Sequence, residues 1–280
     1  MTDVLRYTAF STDPAGGNQA GVVLDAAALN DAEMLAIAAG LGYSESAFLS
    51  PAPDAAPRSY RIRFFSPLAE VDFCGHATVA AAVALGEHVG PGTYVFHANP
   101  GVVPVSVAED GGAFKATLTS VEPQVKPVAA DEVAEVLAAL GWSAAELDPA
   151  FPPRIANAGV NQLVLAAATR ERLADLDYDF ERLRTVMEKL ELTTVQLAWR
   201  ESESVYHVRD PFPVGGVVED AATGAAAAAL GAYLRELGLA PEAALLTLHQ
   251  GHDMGRPSLL EVELRAGDPR VRVSGTATAL

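Results

Sequence analysis

The sequence predicts an α+β protein of two similar domains, each a mostly antiparallel sheet curled around a central apolar helix. Three observations lead to this prediction: signs of internal duplication, strand patterns joined mainly by turns, and two helical patterns with almost no polar face. A helix that is apolar all round must be covered on every side, and a curled sheet provides that cover. The chain of 280 residues is long enough for two such cores.

The duplication is visible as pairs of matching residues that keep nearly the same spacing in both halves. Alanine-rich segments align with almost anything, so the less common residues carry the argument. The matches that count pair Arg63 with Arg209, Pro67 with Pro213, and Asn18-Gln19 with Asn161-Gln162. Two related domains facing each other are expected to hold a ligand between them.

Periodicity places the elements along the chain. Alternating apolar residues predict strands at 60–65, 102–107, 113–118, 196–199, 205–208, 259–264 and 270–274. Helical spacing predicts helices at 27–40, 77–88, 131–140, 180–190 and 223–237. The two prolines of Val121–Pro127 indicate an extended linker. We therefore expect an N-terminal domain over 1–120, a C-terminal domain over 121–267, and a terminal strand over 268–280 that returns to the N-terminal domain.

Composition and charge exclude several functions. The formal net charge is −17, and the 19 basic residues are scattered, which argues against a nucleic-acid partner. No apolar run has the length of a membrane span, and the first residues do not form a secretion signal, so a soluble cytoplasmic protein is expected. Cys74 is the single cysteine, which excludes an internal disulfide and a paired-cysteine metal site.

Two predicted helix starts suggest where a ligand binds. Gly75-His76 opens the first alanine-rich helix, and Gly224-Ala225 opens the second. The first amides of a helix lack partners within it and carry the positive end of the helix dipole. We therefore predict that these amides hold a small anionic substrate, such as a carboxylate, without a formal positive charge.

Candidate proton carriers lie close to these helix starts or just before a strand. Glu45 stands between serines before an apolar strand, and the second half has no carboxyl group there, which suggests an asymmetric task such as moving a proton. His76 could donate to a substrate oxygen or relay a proton, although it could simply cap the helix. Asp220 occupies what we take as the matching place in the second half, where an acid is also an ordinary cap.

Cys74 leaves two interpretations open. A thiol beside a helix N-terminus ionises readily and could act as a base, but two-base racemases that use a thiol on each side need a second cysteine, which this chain lacks. A structural cysteine is the preferred interpretation. Metal is not expected, because His249 and His252 lack an obvious third ligand, and His88, His97 and His207 are scattered. Gly16-Gly17-Asn18-Gln19 is only weakly similar to a phosphate loop.

Taken together, these segments resemble the PhzF-like family, named after the phenazine-biosynthesis isomerase. The resemblance spans the whole chain in order and lies in five segments: Gly17–Val23, Ser44–Leu49, Arg63–Pro67 with Phe73–Thr78, Glu219–Ala225, and Gln250-Gly251 with Met254–Ser258. It implies a diaminopimelate-epimerase-like fold, in which each of two domains is a β-barrel around a central helix. It also implies a homodimer.

The family enzyme isomerises trans-2,3-dihydro-3-hydroxyanthranilate by a proton shift, with no cofactor and no metal. Carried over by motif, Glu45 would be the acid/base, His76 and Asp220 would assist, and the amides around Gly75, Gly224 and Ala225 would hold the carboxylate. Asn18 and Ser44 belong to the motifs beside them and are expected to bind substrate.

Two departures from the family pattern lie around the start of the second alanine-rich helix, where Ala221 replaces a proline and Ala225 replaces a serine. Loss of that serine removes a hydroxyl donor, and a hydrogen bond to a charged partner is worth about 1.5–3 kcal/mol. Two alternatives stay open beside the isomerase. The first is a racemase or epimerase that uses Cys74. The second is a non-catalytic small-molecule binding protein on the same scaffold.

Overall fold

The computed structural model describes residues 2–52 and 56–280, and it divides the chain into two compact units. The first unit contains residues 1–119 together with 274–280, and the second contains residues 120–273. The chain therefore passes from the first unit to the second after Thr119 and returns to the first at Ser274.

Strands and helices alternate irregularly along the chain. The strands are β1 (Leu5–Ala9), β2 (Asn18–Val23), β3 (Glu45–Pro51), β4 (Ser59–Phe65), β5 (Glu70–Val71), β6 (Gly92–Ala98), β7 (Gly101–Asp110), β8 (Ala113–Thr119), β9 (Gln124–Pro127), β10 (Arg154–Asn157), β11 (Asn161–Ala166), β12 (Thr194–Arg200), β13 (Val205–Pro211), β14 (Glu219–Asp220), β15 (Ala244–Gln250), β16 (Ser258–Arg265) and β17 (Asp268–Ala279). The helices are α1 (Asp31–Leu41), α2 (Gly75–Val89), α3 (Ala130–Leu140), α4 (Arg170–Ala174), α5 (Phe180–Lys189) and α6 (Gly224–Glu236).

The first unit contains a closed barrel of eight strands. Its strands pair in the order β1, β2, β3, β4, β6, β7, β8 and β17, and β17 pairs back with β1. The pairs β2–β3 and β4–β6 are parallel, because α1 and α2 carry the chain back to the same end of the sheet. The mixed α/β fold with a barrel confirms the coarse part of the fold prediction.

Helix α2 fills this barrel. Every residue from His76 to Gly86 is buried. Almost none of the apolar side chains of this helix is larger than that of valine. Small side chains let the strands approach the helix backbone closely. At Gly86 an added Cβ would lie 2.7 Å from a methyl group of Val107 and 3.1 Å from the ring of Phe114. The alanine-rich composition is therefore what allows the barrel to close around the helix.

The second unit has the same succession of pairings. Its strands pair in the order β9, β10, β11, β12, β13, β15 and β16, and β11–β12 and β13–β15 are again the parallel pairs, connected through α5 and α6. Residues Ala226–Leu234 of α6 are all buried. A separate apolar cluster, which includes Trp142, Leu163 and Met187, packs beneath α3 and α5.

Two expectations about elements are wrong in detail. The expected linker contains strand β9, which pairs with β10 and ends at Pro127, so this extended segment is part of a sheet and not a free connection. Helix α1 begins at Asp31 and not at Ala27, because Asn30 caps it and forms a capping box with Glu33.

Within the described residues, none of the helices combines the length and the hydropathy needed to cross a membrane.

Candidate active site

The candidate catalytic residues of the first unit lie together at one end of its barrel. Strands β2 and β3 are parallel, so their first residues, Asn18 and Glu45, lie at the same end of the barrel. Strand β4 runs antiparallel to β3 and finishes at this end, where Phe65 pairs with Ser46. The chain then makes the short strand β5 and starts α2 at Gly75. This topology brings the first residues of α2 close to Glu45.

Glu45, Cys74 and His76 form a compact cluster at this rim. The Cys74 thiol donates to Glu45 Oε2 over 3.6 Å, and His76 Nε2 lies 3.6 Å from the same oxygen. Cys74 Sγ lies 3.4 Å from His76 Nδ1 and 3.8 Å from Nε2. Cys74 and His76 are buried, whereas the Glu45 side chain remains 17% exposed. The carboxylate is therefore the member of the cluster that a ligand can approach.

The predicted residues Asn18 and Ser44 orient the His76 ring. Asn18 Nδ2 lies 3.1 Å from His76 Nδ1, and Ser44 Oγ lies 3.4 Å from Nε2. An amide nitrogen only donates hydrogen bonds, so Nδ1 is the acceptor in the contact with Asn18. The other ring nitrogen, Nε2, faces Ser44 and Glu45.

The start of α2 also provides backbone donors. Cys74 is the N-cap residue and makes no capping bond with its side chain, while the Thr78 amide is the first to bond back, to the Cys74 carbonyl. The amides of Gly75, His76 and Ala77 precede that first bond and have no carbonyl within the helix to accept from them. A helix N-terminus of this kind favours an anion.

The second unit places Asp220 and Gly224 in a turn that opens α6. Thr223 Oγ1 donates to Asp220 Oδ2 at 2.7 Å, and the Thr223 amide donates to Gln250 Oε1 at 2.9 Å. Gln250 Nε2 in turn donates to the Asp220 carbonyl at 2.9 Å. The Gln250-Gly251 segment, one of the five segments of the family resemblance, thus holds this turn. Gly224 and Ala225 are the first residues of α6 and are partly exposed.

The expected register between Asp220 and His76 is wrong. Phe64 pairs with Val71 in the first unit, and Asp210 pairs with Asp220 in the second, so Asp220 occupies the place of Val71. A short 3₁₀ helix at Pro213–Gly215 adds residues between β13 and β14. It therefore shifts the correspondence between the two halves for every residue that follows. Because Gly224 begins α6 as Gly75 begins α2, the counterpart of His76 is Ala225.

An ion pair braces the turn before each of these helices. Arg63 donates through Nε and Nη2 to the two carboxylate oxygens of Glu70, at 2.8 and 2.6 Å. Arg209 does the same with Glu219, at 2.9 and 2.6 Å, in a more buried setting. The matching arginines of the sequence therefore fix β4 to β5 and β13 to β14, the short ladders that lead into α2 and α6.

The second unit also contains a buried polar cluster that the sequence reasoning missed. Its members, all at most 1% exposed, are Gln162, Thr194, Gln196 and Asp210. Thr194 Oγ1 donates to Gln162 Oε1 and lies 3.0 Å from Asp210 Oδ1. Burial, followed by the nearby carboxylates of Asp220 and Glu219, raises the pKa of Asp210 well above its usual value, although the bond to Thr194 opposes this. The signal that could have found it is an aspartate inside the apolar strand pattern of β13.

The histidines of the second unit are not scattered. His207 and His249 are directly paired on β13 and β15, with ring centroids 5.0 Å apart, and His252 lies 5.2 Å from His249. His207 Nε2 also contacts Glu201 Oε2 at 2.6 Å. Desolvation and the neighbouring rings lower the pKa values of His249 and His252. The pairing of His207 with His249 could not be read from the sequence, because it depends on strand register.

Comparisons with known proteins agree with the motifs and the fold. The family profile described as phenazine biosynthesis-like protein, PhzC-PhzF, matches residues 7–280. The uncharacterized isomerase YfhB of Bacillus subtilis is 30% identical over 99% of this chain and 96% of its own length. The trans-2,3-dihydro-3-hydroxyanthranilate isomerase of Pseudomonas fluorescens is 31% identical over 98% of this chain and 96% of its own.

A solved structure shows the same fold. The crystal structure of the Bacillus anthracis phenazine biosynthesis protein of the PhzF family superimposes with a TM-score of 0.89 and 24% identity, over 100% of this chain and 97% of that one. The profile match covers nearly the whole chain, and the curated relatives with which it aligns end to end are named as isomerases. The chain therefore belongs to the PhzC-PhzF family of phenazine biosynthesis-like proteins.

Proposed function

We propose that this protein is a cofactor-independent isomerase that moves a proton on a small carboxylate substrate, with Glu45 as the acid/base. The observation that carries the proposal is the position of the Glu45 carboxylate, 3.6 Å from both the Cys74 thiol and His76 Nε2 at the start of α2. Glu45 takes the proton from one substrate carbon and returns it to another. His76, oriented by Asn18, hydrogen-bonds the carboxylate or a substrate oxygen.

The substrate carboxylate is proposed to bind the first amides of α2, around Gly75. These amides offer hydrogen bonds and the positive end of the helix dipole, which matters in a chain with a net charge of −17. The assisting roles of Asp220, Gly224 and Ala225 stay a prediction, as do the homodimer and the cytoplasmic location. For the fold, we propose that the two units are copies of one barrel. The order of strand pairings that they share supports this.

The test is proton exchange in deuterated water. We expect the purified protein to convert trans-2,3-dihydro-3-hydroxyanthranilate or a related cyclic carboxylate, with deuterium entering the product as mass spectrometry would show. Glu45→Gln keeps the shape of the side chain but removes its basicity, so the rate is expected to fall by about 10²–10⁴-fold. Glu109→Gln, on an exposed position of β7, is the matched control and is expected to keep the wild-type rate.

A result in which Glu45→Gln matches Glu109→Gln would remove Glu45 from the mechanism. Saturable binding with no turnover and no exchange, over a panel of small carboxylates, would favour the non-catalytic binding protein instead.

The contact between the Cys74 thiol and Glu45 favours a second candidate, a racemase or epimerase in which Cys74 acts as one base. A carboxylate can hold the proton that the thiol releases, which is what a thiol base requires. The two mechanisms differ in a simple way. Alkylation of Cys74 and the substitution Cys74→Ala abolish epimerase activity. The product of an epimerase has one inverted stereocentre, and the double bonds of the substrate stay in place.

A further inference from the structure

Three histidines of the second unit surround the end of strand β15. His207 and His249 are directly opposite each other in the parallel pair β13–β15, and their ring centroids lie 5.0 Å apart. His252 belongs to the short 3₁₀ helix His252–Met254, and its ring lies 5.2 Å from His249 and 6.3 Å from His207. The proposed isomerase mechanism uses none of these rings. They are close enough to repel one another when they are charged.

The segment between His249 and His252 is the one that holds the turn before α6. Gln250 is buried and lies in the last residue pair of the β13–β15 ladder. Its side chain accepts from the Thr223 amide and donates to the Asp220 carbonyl and to Thr223 Oγ1, each at 2.9 Å. A separation of β15 from β13 at this end would therefore withdraw Gln250 from the turn.

Charged groups face the three rings from four elements: Glu201 from the turn after β12, Asp253 from the 3₁₀ helix, Arg170 from α4 and Glu261 from β16. Glu201 Oε2 lies 2.6 Å from His207 Nε2 and offsets a charge on that ring. Asp253 is bound by Arg170 through both carboxylate oxygens, at 2.8 and 2.9 Å, so little of its charge is left for His252.

His249 has the weakest compensation. Leu259 is its direct partner on β16, and Glu261 is only its diagonal neighbour on the same face of the sheet. A proton on His249 thus places a positive charge opposite His207, and like charges directly opposite each other destabilise a strand pair.

The direction of the pH effect follows from these contacts. Desolvation first, and then the neighbouring rings, lower the pKa values of His249 and His252 below the usual 6.5. Separation of the rings relieves both causes, so below pH 6.5 the open form of the segment binds more protons than the closed form. Each additional proton raises the ratio of open to closed by up to about tenfold per unit of falling pH. Above pH 6.5 the rings are neutral in both forms and the ratio is constant.

We propose that His207, His249 and His252 form a pH-sensitive switch on residues 250–256. When the rings are neutral, they pack together and Gln250 holds the turn that opens α6. When they take up protons in mild acid, they repel one another and Gln250 is released from that turn. The effect on catalysis rests on the proposed function, because it depends on the predicted role of Asp220. The switch itself does not.

Hydrogen exchange followed by mass spectrometry tests the switch on the full-length protein. The reporter amides are those of Thr223, which donates to Gln250 Oε1, and of Arg256, which donates to the Gly251 carbonyl. We expect their protection, corrected for the intrinsic exchange rate, to fall by about tenfold or more between pH ~7.5 and pH ~5.5. Peptides that contain β11 and β12 should keep their protection.

Variants assign the effect to the rings. In the double variant His249→Gln with His252→Asn, the fall in protection at the reporter amides should disappear, and each single variant should show a smaller fall than the wild type. His252→Asn alone changes an exposed side chain, so it preserves the test if the double variant does not fold. His88→Gln, at the exposed end of α2, is the matched control and should keep the wild-type fall.

Three results would overturn the switch: reporter amides whose protection does not change with pH, a fall that is as steep in the variants as in the wild type, or a fall that extends equally to β11 and β12. If the reporter amides behave as expected but turnover declines in acid as steeply in the double variant as in the wild type, the switch stands and its link to catalysis is wrong. A protein with no turnover at any pH would contradict the proposed isomerase and leave the exchange result as it is.

Discussion

Some residues of the candidate site could be predicted from the sequence and others could not. Glu45 stood out because it is an isolated acid with no counterpart in the second half, and the structure places it beside His76 as the motif implied. The contact with Cys74 was not predicted, and the cysteine was interpreted as structural. Glu45 and Cys74 lie on different elements, and only the antiparallel pairing of β3 with β4 brings the start of β3 next to the start of α2. Periodicity predicts that these elements exist, but not which of their ends meet.

Asp210 was missed for a related reason. In the sequence it is one acid before Pro211, and its place in the apolar strand pattern of β13 is the one sign that its side chain faces the inside of the second unit. In the structure it is fully buried and opposite Asp220 in the β13–β14 pair. A buried carboxyl near other carboxyl groups holds its proton more tightly than an exposed one. The Thr194 hydroxyl lies within hydrogen-bond distance of both Asp210 Oδ1 and Gln162 Oε1.

Asp210 makes stability depend on pH in a definite direction. Burial raises its pKa far above the usual 3.8. Above pH 3.8 the unfolded chain releases this proton and the folded protein keeps it, so the free energy of unfolding falls as the pH rises toward the folded pKa. The slope is about 1.4 kcal/mol per pH unit in that window. Asp210→Asn should remove it, as urea unfolding from about pH 4 upward would measure.

The exposed Asp177 gives the matched control for this experiment. Asp177→Asn should leave the slope of the wild type in place. An Asp210→Asn protein whose unfolding free energy falls with pH as steeply as the wild type would show that Asp210 is ionised in the folded state.

At the scale of elements, strong local patterns were reliable and contacts between elements were not. The two alanine-rich helices and most of the longer strands lie where their periodicity placed them. Strand β9 was taken for a linker, because four residues with a proline at the end carry little periodic signal, and their pairing with β10 spans a long stretch of chain. Helix α4 has five residues and was missed for the same reason.

The turn before α6 depends on one glycine. Gly251 has a φ of +73°, and an added Cβ would lie 2.2 Å from the Arg256 carbonyl oxygen and 2.8 Å from that of Ala221. Gly255 has nearly the same backbone, with a φ of +74°, but open space around it. Gly255→Ala should therefore cost only the left-handed strain, about 1–2 kcal/mol. Gly251→Ala should cost a further ~1–3 kcal/mol from overlap.

Thermal or denaturant unfolding of the two variants gives the comparison, since each serves as the other's reference. Equal losses of stability would mean that the turn formed by Ala221 and Arg256 has room to move. We expect the larger loss for Gly251→Ala. This substitution should also weaken the hydrogen bonds from the neighbouring Gln250 side chain to Asp220 and Thr223.

At the scale of the molecule, the two units share one strand. Strand β17 begins in the second unit and ends in the first, where Tyr7 pairs with Ala279 and Ala9 with Ala277. The arginine, proline and asparagine matches in the sequence predicted a duplication, and the shared order of strand pairings supports that proposal. The closing of an eight-stranded barrel could not, because it joins β1 to β17 across nearly the whole length of the chain.

Removing Gly275–Leu280 should open the first barrel. The deletion takes away the pairing with β1, the bond from the Phe10 amide to the Thr276 carbonyl, and the bond from Thr278 Oγ1 to the Ser11 carbonyl. The amides of β1 and β8 should then lose protection in hydrogen exchange, and the exposed edges should promote aggregation. Deleting Leu280 alone is the control and should leave the exchange pattern nearly unchanged. Full protection of β1 in the longer deletion would show that the barrel closes without this strand.

This shared strand also constrains the order in which the protein matures during translation. The segment that completes the first barrel leaves the ribosome only after all of residues 120–273 have emerged. The first barrel must therefore wait for its last strand, while the later unit is already free to fold. The half that is synthesised first is the half that finishes last.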